Sequence, residues 1–213
     1  MPARRYTDCV RERTPPDQLA AFERFLTTQP AAQPWQPVTD YSWEARSRIE
    51  RPHAARIVNT FQPNLVLDYG CGFGYLVRVL REFNVYAWGY EPHQPPRPEL
   101  HRSTHVPFND RDCDLVICRE VIEHVELRHV PALVRHLCQL SSAYVYVTTR
   151  FHPNPDHLLD VATSDDLDPT HMTLLNKDFL RLLFVLEGFV RDPEKETAMD
   201  WMGKDRVLVY RRP

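Results

Sequence analysis

The stretch from Leu65 to Glu91 constrains this chain more than any other. Leu65-Val66-Leu67-Asp68-Tyr69 is an apolar run entered after Pro63-Asn64, and it reads as a buried parallel strand. Gly70, Gly72 and Gly74 follow at alternate positions. They let the backbone turn tightly and approach a ligand closely, because no Cβ intervenes. Leu76, Val77, Leu80 and Phe83 then recur at helical spacing, and Val85 to Tyr90 forms a second strand that ends on Glu91. A strand, glycine loop, helix and strand with a carboxylate about 20 residues past the glycines is an arrangement for binding ribose hydroxyls. An ordinary tight turn before a packed helix would explain the glycines but not their linkage to Glu91.

The spacing narrows the ligand. A dinucleotide loop takes the form Gly-x-Gly-x-x-Gly, with the third glycine in the helix and pyrophosphate on the helix N-terminus. Here the order is Gly70-x-Gly72-x-Gly74, and Val77 stands where a further close-packing residue would sit. Asp68 also places a negative charge at the start of the loop, unfavourable beside a pyrophosphate and suitable beside an amino group.

This segment resembles motif I of the class I S-adenosylmethionine-dependent methyltransferases, a strand ending in Leu-Asp followed by Gly-Cys-Gly-x-Gly. Leu67, Asp68, Gly70, Cys71, Gly72 and Gly74 match that pattern. The resemblance implies that the loop cradles the methionine part of S-adenosyl-L-methionine and that Glu91 binds its ribose. The candidate cofactor set is Asp68, Gly70, Cys71, Gly72, Gly74, Glu91 and Glu120. The resemblance runs from about Arg56 to the C-terminus. It implies a single Rossmann-like α/β domain over residues 56–213, with a mostly parallel seven-stranded sheet flanked by helices. Residues 1–55 then form an N-terminal helical arm and lid.

Composition agrees with one domain. The chain has 213 residues, enough for a substantial core. Its formal net charge of −3 carries no nucleic-acid signal. Cys9, Cys71, Cys113, Cys118 and Cys138 are scattered without metal-ligand spacing, which suits reduced thiols in a cytoplasmic protein. The start of the chain leads into no apolar region of a signal peptide, and no run reaches the length of a membrane span.

Other segments follow in order. Pro16 to Thr27 reads as a short amphipathic helix. Trp35, Tyr41 and Trp43 either pack an arm against the domain or carry a lid over the site. Trp43 to Phe61 reads as a helix, broken or kinked near Pro52. Arg46, Arg48, Arg51 and Arg56 on it form a solvated face or an anionic acceptor site. After a short third strand near Leu100 to Thr104, the related enzymes often carry an adenine-binding acid; Ser103, Thr104 and His105 stand there instead. Asp114 to Cys118 is a fourth strand, Val130 to Leu140 a helix and Ala143 to Thr149 a fifth strand. A long acidic loop spans Arg150 to His171. Lys177 to Glu187 is a helix capped by Asn176, and Phe189-Val190 with Val207 to Tyr210 make a terminal hairpin.

Arg119-Glu120-Val121-Ile122-Glu123-His124 falls at the carboxyl end of the fourth strand, where open α/β sheets bind ligands. Glu120, Glu123 and His124 have the spacing of one helical face. Two carboxylates and an imidazole suit a divalent cation, and His171 is a candidate fourth ligand. Glu-x-x-Glu-His is similar to a motif of two methyltransferase groups, the RNA 3′-terminal ribose 2′-O-methyltransferases and the ubiquinone-biosynthesis O-methyltransferases. Both resemblances imply a divalent metal, magnesium or manganese, at Glu120, Glu123, His124 and His171. Such a metal lowers the pKa of a bound hydroxyl, and His124, with Glu123, is the candidate general base. The motif also occurs as a plain pocket wall. The expected activity is methyl transfer to a hydroxyl of a small molecule or sugar, without membrane association. The alternatives are a metal-dependent enzyme acting on the 3′-terminal ribose of RNA and a non-catalytic cofactor-binding regulator.

Overall fold

The computed structural model describes residues 42–151, 159–160, 171 and 173–213, together with Ala20. The expectations for Trp35, Tyr41 and most of the acidic loop after Arg150 lie outside the described residues. Of the Pro16 to Thr27 helix only Ala20 is described, and it is helical.

Helix α1 (Trp43–Phe61) opens at Ser42, whose hydroxyl accepts from the Ala45 amide at 3.2 Å, and closes at Gln62 in a left-handed conformation. Of the break or kink expected near Pro52, no break occurs: the helix continues through it. Proline removes one intrahelical bond, but Glu50, Ala54 and Ile57 are buried on either side of it, and that packing holds the turn together. The helix also crosses the expected boundary between residues 55 and 56.

Strand β1 (Leu65–Tyr69) leads through the glycine loop into α2 (Tyr75–Glu82) and then β2 (Tyr86–Tyr90). The buried face of α2 is Leu76, Val77, Val79 and Leu80. Phe83, expected on that face, is instead the capping residue and is 38% exposed. A 3-10 turn at Pro98–Leu100 and the two-residue β3 (Arg102–Ser103) are the only elements before β4 (Cys113–Arg119). Then come α3 (Val130–Leu140), β5 (Ser141–Thr148), β6 (Leu159–Asp160), β7 (Leu174–Leu175), α4 (Lys177–Leu186), β8 (Val190–Arg191), α5 (Pro193–Met199) and β9 (Val207–Arg211).

Seven strands form one sheet in the order β3-β2-β1-β4-β5-β9-β8, and β6 pairs with β7 separately. Pairing is parallel from β3 to β5 and antiparallel through β9 and β8. This is the expected Rossmann-like architecture. The two closing strands are not a hairpin, however: α5 stands between them. Asp192 caps it, its carboxylate accepting from the Lys195 amide at 3.1 Å, and Pro193 occupies its first turn.

Strand alternation divides the core. Leu67, Val116, Cys118, Val145, Val147 and Leu208 pack with α3 and α4, while Val66, Leu115, Ile117, Tyr146 and Val209 pack with α1, α2 and α5. With both faces covered, these strands read as continuous apolar runs. The parallel register sets Asp68 beside Gly89 and Ile117, and Arg119 beside Thr148. The carboxyl ends of β1, β2, β4 and β5 therefore open on one side of the sheet. No helix among the described residues is long and apolar enough to cross a membrane.

Candidate active site

The glycine loop is held by peptide groups. The amides of Gly70 and Cys71 both donate to the Tyr90 carbonyl, at 2.8 and 3.1 Å, pulling the loop onto the end of β2. Gly70 has φ of +77°, and a Cβ there would lie 2.5 Å from Val121 Cγ2, so another residue would be strained and would have to push the Val121 side chain aside. The Glu91 carboxylate is buried and fixed by two backbone donors: the Gly72 amide on Oε2 and the His93 amide on Oε1, each at 3.0 Å. Each oxygen keeps acceptor capacity for a further donor. Asp68 is buried at the start of the loop; burial pushes its carboxyl up to about 7, with Glu50 and Glu91 adding to the rise and Arg119 opposing it. At the adenine-side position, the Ser103 hydroxyl accepts from the His105 amide at 3.0 Å and Thr104 pairs with the His105 ring at 3.1 Å.

Behind the loop lies a charged layer that the sequence does not announce. Glu50 is buried between Arg46, at 3.0 Å, and Arg119, at 2.9 Å. Burial alone would raise its pKa, but the two guanidiniums hold it below the usual carboxylate range. His53, one turn along α1, pairs with the Tyr146 hydroxyl at 3.2 Å, and burial with the nearby Arg119 pushes it down to about 3. Three of the four arginines of α1 are tied individually: Arg46 to Glu50, Arg51 to Glu82, and Arg56 to the Ala198 carbonyl.

The end of β4 makes the second half of the site. Glu120 has φ of +51°, and its amide donates to the Thr148 carbonyl at 2.8 Å. The chain then turns through a 3-10 segment, Ile122–His124. Glu120, Glu123 and His124 consequently do not share an α-helical face. Glu120 is 45% exposed and 3.7 Å from Arg206, whereas Glu123 is fully buried. One oxygen of Glu123 accepts from the Thr149 hydroxyl at 2.8 Å; the other has no hydrogen-bond partner among the described residues. Burial, reinforced by the Glu120 carboxylate, holds its pKa well above the usual range.

Glu123, His124 and His171 come together, each offering one ligand atom, all within 4.8 Å of one another. The imidazoles of His124 and His171 lie 4.9 Å apart between centroids. Thr173 carries His171 there: its amide donates to the Glu123 carbonyl at 3.1 Å and its hydroxyl to the Val125 carbonyl at 2.6 Å. The cluster that forms is therefore three of the four residues grouped from the sequence, with Glu120 outside it.

A doubly wound sheet whose glycine loop and buried acid meet beyond the ends of β1 and β2 is a nucleoside-binding α/β fold. A family model described as "Methyltransferase domain" matches residues 42–191, and the chain belongs to that family, the class I S-adenosylmethionine-dependent methyltransferases. Enzymes of this family use S-adenosyl-L-methionine as cofactor. The chain is 30% identical over 121 residues to the uncharacterized protein MJ0638 of Methanocaldococcus jannaschii, matching 54% of this chain and 52% of that one. The chain thus spans about half the length of that relative.

Solved structures share the fold. An S-adenosylmethionine-dependent methyltransferase from Archaeoglobus fulgidus has a TM-score of 0.58 at 12% identity, over 80% of this chain and 96% of that one. The 1,6-didemethyltoxoflavin-N1-methyltransferase of Burkholderia thailandensis, with its substrate and S-adenosylhomocysteine bound, gives 0.56 at 13%, over 93% and 91%. Magnesium protoporphyrin IX methyltransferase of Synechocystis PCC 6803, with S-adenosylhomocysteine bound, gives 0.53 at 15%, over 97% and 100%.

Proposed function

We propose that this enzyme methylates a hydroxyl oxygen of a small molecule or sugar. The observation that carries the reading is the convergence of Glu123, His124 and His171 at the end of β4, beside the loop that ends β1. A hydroxyl is a poor nucleophile until its proton is removed or its oxygen is polarised, and this cluster is suited to both tasks. S-adenosyl-L-methionine supplies an electrophilic methyl group when bound. In this reading Gly70, Cys71, Gly72 and Gly74 line the methionine end of the cofactor, Asp68 faces its ammonium group, and Glu91 takes the ribose hydroxyls. Glu120 borders the space between cofactor and acceptor.

The cluster also fits a divalent cation. The unpartnered buried oxygen of Glu123 leaves a polar group unsatisfied unless something else meets it. One carboxylate and two imidazoles suit manganese better than magnesium, which favours oxygen donors. Glu123, His124 and His171 would hold such an ion, with Glu120 at its edge, and its chemistry would be to acidify and orient a hydroxyl. Without the ion, His124 serves in this reading as the proton acceptor, and in either case Thr149 orients Glu123. The same cluster supports a second reading, the 3′-terminal ribose of RNA, since a vicinal diol offers a cation two oxygens. Residues 1–55 serve in this proposal as arm and lid over a catalytic domain of residues 56–213, with α1 shared between them. The free thiols Cys71, Cys113, Cys118 and Cys138 suit a reducing cytoplasmic setting.

The test is a panel of hydroxylated small molecules, sugars and short RNAs, with mass spectrometry locating the added methyl group. Transfer to oxygen that stops on chelation and returns with manganese is the expected result. Methylation confined to nitrogen or sulfur would overturn the oxygen assignment. Full O-methylation after exhaustive chelation would remove the cation and leave His124 as proton acceptor.

A further inference from the structure

We propose that Arg102 is a positioning residue that ties together the two loops gripping the cofactor: the glycine loop after β1 and the proline-rich loop after β2. β3 is registered with Arg102 opposite Gly89, a position where β2 presents no side chain. From there the guanidinium, on a residue only 2% exposed, reaches both loops. Its Nη1 donates to the Gly72 carbonyl at 2.7 Å and its Nη2 donates to the Pro95 carbonyl. The backbone of Arg102 is fastened to the second loop as well: its amide donates to the Arg97 carbonyl and its carbonyl accepts from the Arg97 amide, each at 3.1 Å.

Gly72 is thus held from two directions. Its amide donates to Glu91 Oε2, and its carbonyl accepts from Arg102. Among the described residues no carboxylate forms an ion pair with Arg102, and its Nε has no hydrogen-bond partner. A buried cation paired only with carbonyls is a poor device for stability, because desolvation opposes it. What it does supply is geometry. The planar fork of arginine spans two acceptors at once, which the single ammonium of lysine does not reproduce. The stretch between β2 and β4 carries only a 3-10 turn and β3; Glu91 joins Gly72 to His93 at the near end of the second loop, and Arg102 ties its far part, at Pro95 and Arg97, to the glycine loop.

The experiment compares Arg102→Ala and Arg102→Lys with the wild-type full chain, using calorimetry with S-adenosylhomocysteine, circular dichroism and unliganded melting. It reads cofactor binding alone, so its outcome is independent of the acceptor. Both variants should stay folded and bind S-adenosylhomocysteine at least about tenfold more weakly, the effect of losing one charge-assisted bond. Millimolar guanidinium ion, but not equal sodium chloride, should restore affinity to Arg102→Ala. A folded variant of either kind with wild-type affinity overturns the proposal. Failure of both variants to fold also overturns it, since Arg102 would then be a structural brace. Weakened binding without guanidinium rescue or lysine defect counts against the two-carbonyl fork.

Discussion

Beyond the end of β1 the chain holds its loop with peptide groups; beyond the end of β4 it gathers side chains. The glycine loop and Glu91 come from one contiguous stretch, and the amides of Gly70, Cys71, Gly72 and His93 all find acceptors within it. The Glu123 cluster draws on three segments far apart in sequence, at Glu123-His124, at Thr149, and at His171 with Thr173. Glu123 and His171 are buried and His124 half-buried, the Glu123 carboxyl pKa is raised, and one of its oxygens has no hydrogen-bond partner among the described residues. In the first region the loop amides are satisfied as folded. The second carries polar groups whose needs the described residues do not fully meet, which is what a site awaiting another charge looks like.

This contrast is broken most sharply at Glu123. With an acceptor identified from the panel, Glu123→Gln should lower methyl transfer by roughly 10²–10⁴-fold, the range for a lost acid–base or polarising group. S-adenosylhomocysteine affinity, measured by calorimetry, should stay unchanged. A variant that loses both together would show that the two regions are not separable.

Glu91→Ala should do the reverse. Losing charge-assisted bonds to ribose should weaken S-adenosylhomocysteine binding by about 1.5–3 kcal/mol, roughly one to two decades in Kd. Wild-type affinity in the folded variant would remove Glu91 from the ribose site.

The smallest effect is the pH dependence of the cofactor half. Burial, with help from Glu50 and Glu91, holds the Asp68 carboxyl up to about 7. A bound ammonium favours its ionised form. Affinity for S-adenosylhomocysteine should therefore rise with pH up to about 7, by at most about tenfold per unit, and level off above. The unliganded protein moves the other way. The native state keeps a proton that the unfolded chain has lost, so stability falls as pH rises from the ordinary aspartate range toward 7. Asp68→Asn should flatten both curves; titration and melting profiles indistinguishable from wild type would count against the shift.

The difference between the regions also explains what the sequence discloses. The β1–loop–β2 unit is legible because its signals are local: apolar runs, alternate glycines and an acid at a set distance. Helix α3 starts and stops where its pattern does, and Asn176 caps α4, accepting from Asp178 at 2.8 Å. Helix α5 escaped because only Glu196 and Met199 of its seven residues are buried, too few for an apolar period; Asp192 followed by Pro193 was the available cue. The left-handed turn at Glu120 has no glycine to mark it, and it takes Glu120 off the face expected for it. Pairing between Glu50 and Arg119 joins residues 69 apart, and single-sequence patterning carries no trace of such a partner. His171 was legible only as a candidate, because Thr173, which places it, looks like any buried threonine.

Helix α5 has a consequence for the order in which the molecule is completed. It lies near the end of the chain and docks on α1, near the beginning of the described residues. Arg56 donates to the Ala198 carbonyl across 142 residues, and Lys195 reaches the Thr60 carbonyl across 135. Contacts of that span are among the last to repay the entropy of closing the chain. Since α1 also carries Glu50, the partner of Arg119, the charged layer behind the glycine loop depends on a clasp whose other half lies more than a hundred residues further along the chain. During synthesis the glycine loop leaves the ribosome early, but the clasp arrives only with α5.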